Sequence, residues 1–126
     1  NEYSVDLLVD QGRPLYTIPR RRDAISGGIS IKGEIVNELD VIDYCNKIVR
    51  SLNLHGNIGI QVKRDQNNVP LILEVNPRIQ GAIVHCTEAG VNLPYFAVKM
   101  ALHEEIPIVN VRWNCKMIRY WKEVFY

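Results

Sequence analysis

The sequence lacks the features that mark several common classes of protein. Its three cysteines are odd in number and show no CxxC spacing, which argues against a disulfide framework or a zinc site. No apolar run approaches the roughly 18 residues of a membrane span, and no signal-peptide pattern opens the chain. The formal net charge is only +1, so the composition indicates neither a nucleic-acid nor a membrane partner. We therefore expect a cytoplasmic protein whose cysteines, Cys45, Cys86 and Cys115, are reduced and buried.

The length and composition are those of one ordinary globular domain. The chain has 126 residues, of which 47% are hydrophobic and 23% are charged. A chain of this size can bury about two-thirds of its unfolded surface around a single core. We therefore interpret residues 1–126 as one domain. Because its first residue lies almost inside a motif, we expect this domain to be a fragment of a longer protein.

The most informative stretch is residues 71–80, LILEVNPRIQ, an apolar strand that carries two oxygen-bearing side chains and ends before an arginine. Residues 57–65 predict the strand before it, and Asn67-Asn68 suit a tight turn because asparagine tolerates left-handed backbone angles. With that turn, Gln61 lies directly opposite Glu74. Alternation then predicts one core face, made of Ile58, Ile60, Val62, Leu71, Leu73 and Val75.

The other face of this predicted hairpin collects polar groups that are typical of a magnesium site. Gln61, Glu74 and Asn76 supply amide and carboxylate oxygens, which Mg²⁺ takes together with water and substrate phosphates. Pro77 is compatible with leaving the strand, because it cannot donate to a ladder, and it places Arg78 beside the metal. Alternation alone leaves a second interpretation open, in which this face is merely solvated.

A second hairpin is predicted near the start of the chain. Residues 3–9 and 14–18 alternate between apolar and polar side chains, with Gln11-Gly12 as the turn between them. This register places Val5 opposite Ile18, and one face of the hairpin becomes core. Ser4, Asp6 and Thr17 are then expected to share the other face.

Three consecutive arginines follow this hairpin. Residues two apart in an extended segment point the same way, so Arg20 and Arg22 can approach one anion while Arg21 points elsewhere. A phosphate or a substrate carboxylate would serve as that anion. A solvated charge run is the alternative; a nucleic-acid contact is disfavoured, because the run is short and lacks interleaved aromatic residues.

The remaining patterns predict two helices and a terminal strand. Residues 40–52 repeat apolar side chains at intervals of three and four, and Asn92 suits the N-cap of a helix that runs through Tyr95, Val98, Met100 and Leu102. Residues 106–126 suggest an aromatic terminal strand that closes the core or packs on a neighbour outside these residues. The expected fold is α+β, with an antiparallel sheet of five or six strands backed on one face by two helices and open to a ligand on the other.

The motif Glu-Val-Asn-Pro-Arg after an apolar strand, with a glutamine on the preceding strand, resembles the nucleotide and metal motif of ATP-grasp enzymes. It is most similar to carbamoyl-phosphate synthase large-subunit-like and related carboxylate-amine ligases. The segments EYSVD, PRRR, GGIS and AGVNLP fit the same family, so the resemblance covers roughly residues 2–103. It implies the C-terminal subdomain of the ATP-grasp module, whose N-terminal subdomain would be a missing partner.

The resemblance implies an ATP- and Mg²⁺-dependent ligase, with Mn²⁺ as a possible substitute, that activates a small-molecule carboxylate as an acyl phosphate for attack by an amine. The implied metal ligands are Gln61, Glu74 and Asn76. The implied catalytic residue is Arg78, and the implied nucleotide- or substrate-binding residues are Glu2, Arg20 and Arg22. A biotin carboxylase-like activity is disfavoured, because Ala82 and Ile83 stand where a carboxylate base would be expected. A non-catalytic nucleotide-binding or interaction domain with the same fold is the alternative, and we expect the isolated chain to be inactive.

Overall fold

A computed structural model describes residues 1–126 as a six-stranded antiparallel sheet with three helices. In chain order the elements are β1 (Glu2–Asp10), β2 (Arg13–Ser26), β3 (Ile29–Ile35), α1 (Leu39–Ser51), β4 (Gly56–Arg64), β5 (Pro70–Asn76), α2 (Val84–Glu88), α3 (Leu93–Ala101) and β6 (Lys116–Ile118). The strand order across the sheet is β5-β4-β1-β2-β3-β6. The predicted α+β fold class is confirmed.

Both faces of the sheet are covered, which the sequence interpretation did not anticipate. α1 packs on one face through Val41, Cys45 and Val49. α3 packs on the other face, where Leu93 and Phe96 belong to a separate core. The central strand β1 is buried on both faces, with Tyr3, Val5, Leu7 and Val9 on the first and Leu8 in the core of the second. The expectation that both helices back one face is therefore wrong, and only one end of the second face stays open.

The hairpin of β1 and β2 has the predicted turn but a different register. Gln11 and Gly12 both have positive φ, as a tight hairpin turn requires. A bulge between Leu8 and Val9 then shifts the pairing by one residue, so that Val5 lies opposite Pro19 instead of Ile18. A shift of one residue moves a side chain to the other face. Thr17 therefore faces α1, where its hydroxyl donates to Asn46, and does not join Ser4 and Asp6.

The hairpin of β4 and β5 has the predicted pairing at the predicted site residues. Gln61 lies opposite Glu74, as predicted, although a bulge after Gln61 shifts the register nearer the turn. The predicted core face of β5 is confirmed for Val75, which packs against the first core, and is wrong for Leu71 and Leu73, which are about half exposed, the latter at 53%. The bulge after Gln61 pairs Leu71 with Lys63 and leaves Leu73 without a partner residue, so these two side chains lose the cover that the predicted register would give them.

The helices begin as predicted, but α3 buries an unexpected face. The Asn92 side chain accepts a hydrogen bond from the backbone N–H of Tyr95 at 3.2 Å, which confirms the N-cap. Tyr95 and Val98, predicted to be buried, are exposed. Leu93 and Phe96 are buried instead, so α3 packs on the sheet through a different face from the one predicted.

The C-terminal part of the chain is mostly irregular. β6 is a strand of three residues that pairs with β3, while the segment around Ile108 forms no strand and Ile108 itself is exposed. The aromatic side chains of the last seven residues are also exposed. All three cysteines are free and buried, which confirms their predicted environment. None of the three helices has the length and apolar character needed to cross a membrane.

Candidate functional site

The open end of the second face holds the predicted polar cluster. Side chains from β1, β2, β4 and β5 share this face, because Ser4 pairs with both Arg20 and Gln61, and Gln61 pairs with Glu74. The predicted site residues are therefore neighbours in the sheet although they are far apart in the chain. Apolar side chains of the second core begin farther along the same face, where α3 covers Leu8 and Ile18.

Glu74 and Asn76 form the part of the site that best fits a metal ion. The Asn76 side-chain nitrogen donates to one Glu74 carboxylate oxygen at 2.7 Å, which orients the two groups together. The other Glu74 oxygen and the Asn76 amide oxygen accept no hydrogen bond from the protein. One carboxylate and one amide oxygen are hard donors of the kind that Mg²⁺ takes alongside water and phosphates. No group of three or more His, Cys, Asp or Glu side chains that could hold a metal occurs in the chain.

Arg22 organises the other side of the cluster. Its guanidinium donates to the Glu2 carboxylate, to the Gln61 side-chain oxygen at 3.1 Å and to the backbone oxygen of Gly28 at 2.6 Å. Its Nε donates to the Ser30 hydroxyl at 3.0 Å. Glu2, Arg22 and Gln61 are thus brought together as the sequence suggested. The Gln61 oxygen, however, faces a cation here, so Glu74 and Asn76 fit a metal better than Gln61 does.

Arg20 is held by a partner that the sequence interpretation did not single out. Its Nε donates to the Asp6 carboxylate at 2.5 Å, and both side chains are only 3% exposed. The Cys86 thiol also donates to Asp6, at 3.4 Å. Arg21 lies between Arg20 and Arg22 in the strand and was therefore predicted to point to the other side of the sheet. It does so, and it pairs there with Glu34. Acidic partners therefore offset all three arginines of the run.

Gln80 anchors the segment that follows the motif. Its side chain is buried directly over Gly59 of β4, and its amide nitrogen donates to the backbone oxygen of Val5 at 3.1 Å. Arg78, two residues earlier, is exposed, makes no ion pair and donates only to the backbone oxygen of Ile79. Gln80 therefore fixes the backbone from which the Arg78 side chain extends.

Replacing Gly59 with Ala should displace Gln80 and destabilise the fold by about 1–3 kcal/mol, because an added methyl group would overpack this contact. A Cβ at position 59 would lie 2.3 Å from the Gln80 amide nitrogen. Urea denaturation followed by circular dichroism would measure the effect. Gly81→Ala is the matched control, since a Cβ there meets nothing within 4 Å. Equal stability losses in the two variants would contradict this account.

A cavity of about 260 Å³ lies between these groups. Its walls include Arg20, Arg22 and Arg78, together with Ser4, Ser30 and Gln80. A larger cavity of about 850 Å³ lies at the far end of β1, against Tyr16, Met100 and Pro107. None of the predicted site residues contributes to the larger cavity, so the predicted chemistry belongs to the smaller one.

His85 and Cys86 are buried residues and not a nucleophile pair. His85 donates from Nε2 to the backbone oxygen of Cys115 at 2.9 Å, and its Nδ1 is buried without a partner. Burial lowers the pKa of His85, which favours a neutral ring. Burial also raises the pKa of the Cys86 thiol well above its usual value, so little thiolate is available for attack.

Comparison with known proteins gives one family and one fold. A family model described as "ATP-grasp in the biosynthetic pathway with Ter operon" matches residues 1–122. An L-amino acid ligase from Bacillus licheniformis is similar in structure, with a TM-score of 0.60 and 20% identity over 80% of this chain and 29% of that one. An N5-carboxyaminoimidazole synthetase from Staphylococcus aureus has a TM-score of 0.64 and 17% identity over 84% of this chain and 30% of that one. The same synthetase has been solved complexed with ADP. No curated protein matches the sequence.

Proposed function

Because the chain belongs to this ATP-grasp family, we propose that it is the ATP- and metal-binding part of an ATP-dependent ligase that joins a carboxylate to an amine. The chain spans about three-tenths of the length of each similar solved structure. The N-terminal subdomain that the resemblance implies would supply further groups to the phosphates. Within this class, the sequence motif favours the carbamoyl-phosphate synthase-like branch.

The observation that carries the proposal is the joint placement of Asn76 and Arg78 in the wall of the cavity, with the Glu74 carboxylate hydrogen-bonded to Asn76. Glu74 and Asn76 present two free hard oxygens, and Arg78, which lines the same cavity as Asn76, has no acidic partner. An arginine without an acidic partner, together with oxygen atoms that can bind a metal ion, is suited to bind the negatively charged phosphates of ATP. When bound at Glu74 and Asn76, Mg²⁺ would neutralise charge on the phosphates.

The proposed reaction has two steps. A carboxylate oxygen attacks the γ-phosphorus of ATP, the bond between that phosphorus and the bridging oxygen breaks, and ADP leaves with the electron pair. The amine nitrogen then attacks the acyl carbon, inorganic phosphate leaves, and the proton of the amine passes to solvent. Arg78 would stabilise the charge on the transferring phosphoryl group, since positioning and charge neutralisation supply most of the acceleration in such transfers. Arg22, held by Glu2 and Gln61, would help to orient the anions.

Trapping the acyl phosphate would test this proposal. The full-length protein, incubated with Mg-ATP, a panel of carboxylates and hydroxylamine, should release ADP and form a hydroxamate with at least one acid. Hydroxylamine replaces the amine, so the second substrate need not be known. ADP release that is independent of every carboxylate would contradict carboxylate activation, and no ADP release at all would favour the alternative of a non-catalytic nucleotide-binding domain.

The isolated 126 residues should bind Mg-ATP weakly and turn none of it over. With one subdomain absent, the phosphates would be held by the metal and arginines in an open, wet site, where an ion pair contributes about 1 kcal/mol or less. We expect a Kd of about 0.1 mM or weaker in a calorimetric titration at moderate salt. Micromolar binding, or phosphate release by this chain alone, would mean that the site is complete within these residues.

A further inference from the structure

We propose that the larger cavity, at the far end of β1 from the candidate site, binds an uncharged amphipathic small molecule. Its volume of about 850 Å³ lies within the roughly 300–1,000 Å³ of pockets that enclose drug-sized ligands. It shares no wall residue with the smaller cavity. The proposal therefore concerns a second site, and it does not depend on the ligase function.

The floor of the larger cavity is apolar and continuous with the second core. Leu15, Tyr16, Met100, Ile106 and Val109 line it, and all five are partly buried side chains that pack against that core. On their open side these side chains have no apolar contact partner. The apolar body of a ligand would supply the missing contacts and would itself leave water.

Hydrogen bonds hold the wall of this cavity in place without any ligand. The Tyr16 hydroxyl donates to the backbone oxygen of Pro107 at 2.6 Å and accepts from the backbone N–H of Val109 at 3.1 Å. These two bonds tie the irregular segment 106–109 to β2. After the end of α3, His103 turns the chain with a φ of 56°, a left-handed conformation that is uncommon outside glycine. The cavity is thus formed in advance, as ligand pockets usually are.

The rim of the larger cavity carries hydrogen-bond donors that no protein group uses. The Nδ1 atom of His55 accepts from the backbone N–H of Gln11 at 3.1 Å, so the neutral ring carries its proton on Nε2, which bonds to no protein atom. Arg13 uses only one terminal nitrogen, which donates to Asp10 at 3.1 Å. Both side chains line the cavity and can donate to oxygen or ring-nitrogen acceptors of a ligand.

The charges of the rim disfavour an ionised ligand. Apart from the histidines, its ionisable groups are the two carboxylates of Asp10 and Glu104 and the single guanidinium of Arg13, so an anion would meet an excess of negative charge. Each carboxylate is already paired with a cation, Asp10 with Arg13 and Glu104 with Lys99, so neither is free to receive a cationic ligand. The ligand that fits is uncharged, with an apolar body and a few hydrogen-bond acceptors.

Titration of the full-length protein with N-phenyl-1-naphthylamine would test the proposal. This uncharged amphipathic probe fluoresces strongly only in apolar surroundings, and we expect saturable binding of one probe per chain. Ile108→Ser should weaken binding by about tenfold, because Ile108 lines the cavity and serine removes most of its apolar surface. Ile108 is 99% exposed, so this change leaves the core intact. Ile118→Ser is the matched control, since Ile118 is also exposed but does not line the cavity, and it should bind the probe normally.

Two further measurements separate this site from the others. Saturating Mg-ATP should not displace the probe, because the proposed nucleotide site lies at the other end of β1. Anilinonaphthalene sulfonate, the same probe with an added sulfonate, should bind about tenfold more weakly or worse. Displacement by Mg-ATP, or tighter binding of the sulfonate, would overturn the proposal. So would equal binding by Ile108→Ser and Ile118→Ser, or the absence of saturable binding, as expected if another part of the full-length protein fills the cavity.

Discussion

Replacing Glu74 with Gln in the full-length protein is expected to reduce ATP-dependent turnover by about 10³-fold or more while the fold stays intact. The side chain is exposed, and glutamine keeps the oxygen that accepts from Asn76, so little structural change should follow. What the variant loses is the negative charge that we propose binds Mg²⁺. ADP release measured over a range of Mg²⁺ concentrations should show both the loss and a higher Mg²⁺ requirement.

Glu105→Gln is the matched control for this substitution, because Glu105 is also exposed and forms no ion pair. Its turnover should equal that of the unaltered protein. Circular dichroism of both variants should show unchanged secondary structure. Near-normal turnover by Glu74→Gln at an unchanged Mg²⁺ requirement would rule out the proposed metal ligand.

Replacing Asp6 with Asn is expected to destabilise the chain by about 3–5 kcal/mol, because it leaves the buried Arg20 guanidinium without its counter-charge. Folded domains are stable by only about 5–15 kcal/mol, so this single change removes a large part of the total. The measurement is urea denaturation of the 126-residue chain, followed by circular dichroism. Asp10→Asn is the matched control, since Asp10 pairs with Arg13 at the surface, where the effect should stay below about 1 kcal/mol.

A double variant separates the loss of charge compensation from the loss of packing. Asp6→Leu combined with Arg20→Met removes both charges and keeps apolar volume in their place. It should recover much of the stability that Asp6→Asn loses, since a well-packed apolar pair often replaces a buried ion pair without penalty. If Asp6→Asn proves no more damaging than Asp10→Asn, the pair does not contribute to stability as its burial indicates.

Local patterns in the sequence were sufficient for β1, β4, β5, α1 and α3, and for part of the site, but not for β3 or α2. The N-cap at Asn92, the turn at Gln11-Gly12 and the pairing of Gln61 with Glu74 all depend on neighbours close in the chain. Arg20 and Arg22 share a face because they are two residues apart in one strand. Features of this kind follow from the period of the strand and the chemistry of caps and turns.

Features that depend on distant contacts could not be derived in this way. The bulge at Leu8 and Val9 changes which residues face α1, and no local signal marked it. The Asp6 partner of Arg20 emerges only once β1 and β2 lie side by side in the shifted register. The close contact of Gln80 with Gly59 likewise joins segments about twenty residues apart, although a glycine inside an apolar strand is a signal that another group approaches closely.

The uncovered edge of the sheet also bears on how this chain behaves when it is prepared alone. β5 is an edge strand with a neighbour on one side only, and its Leu71, Ile72 and Leu73 are 40–53% exposed; the backbone N–H of Ile72 donates to the Tyr44 hydroxyl at 3.2 Å. Such an edge is a template for strand addition by another copy of the same chain, and thus for aggregation. Pro70 at its first residue blocks pairing only there, because one missing N–H leaves other positions of the strand available. Solubility during expression of this chain alone therefore depends on keeping that edge paired or covered.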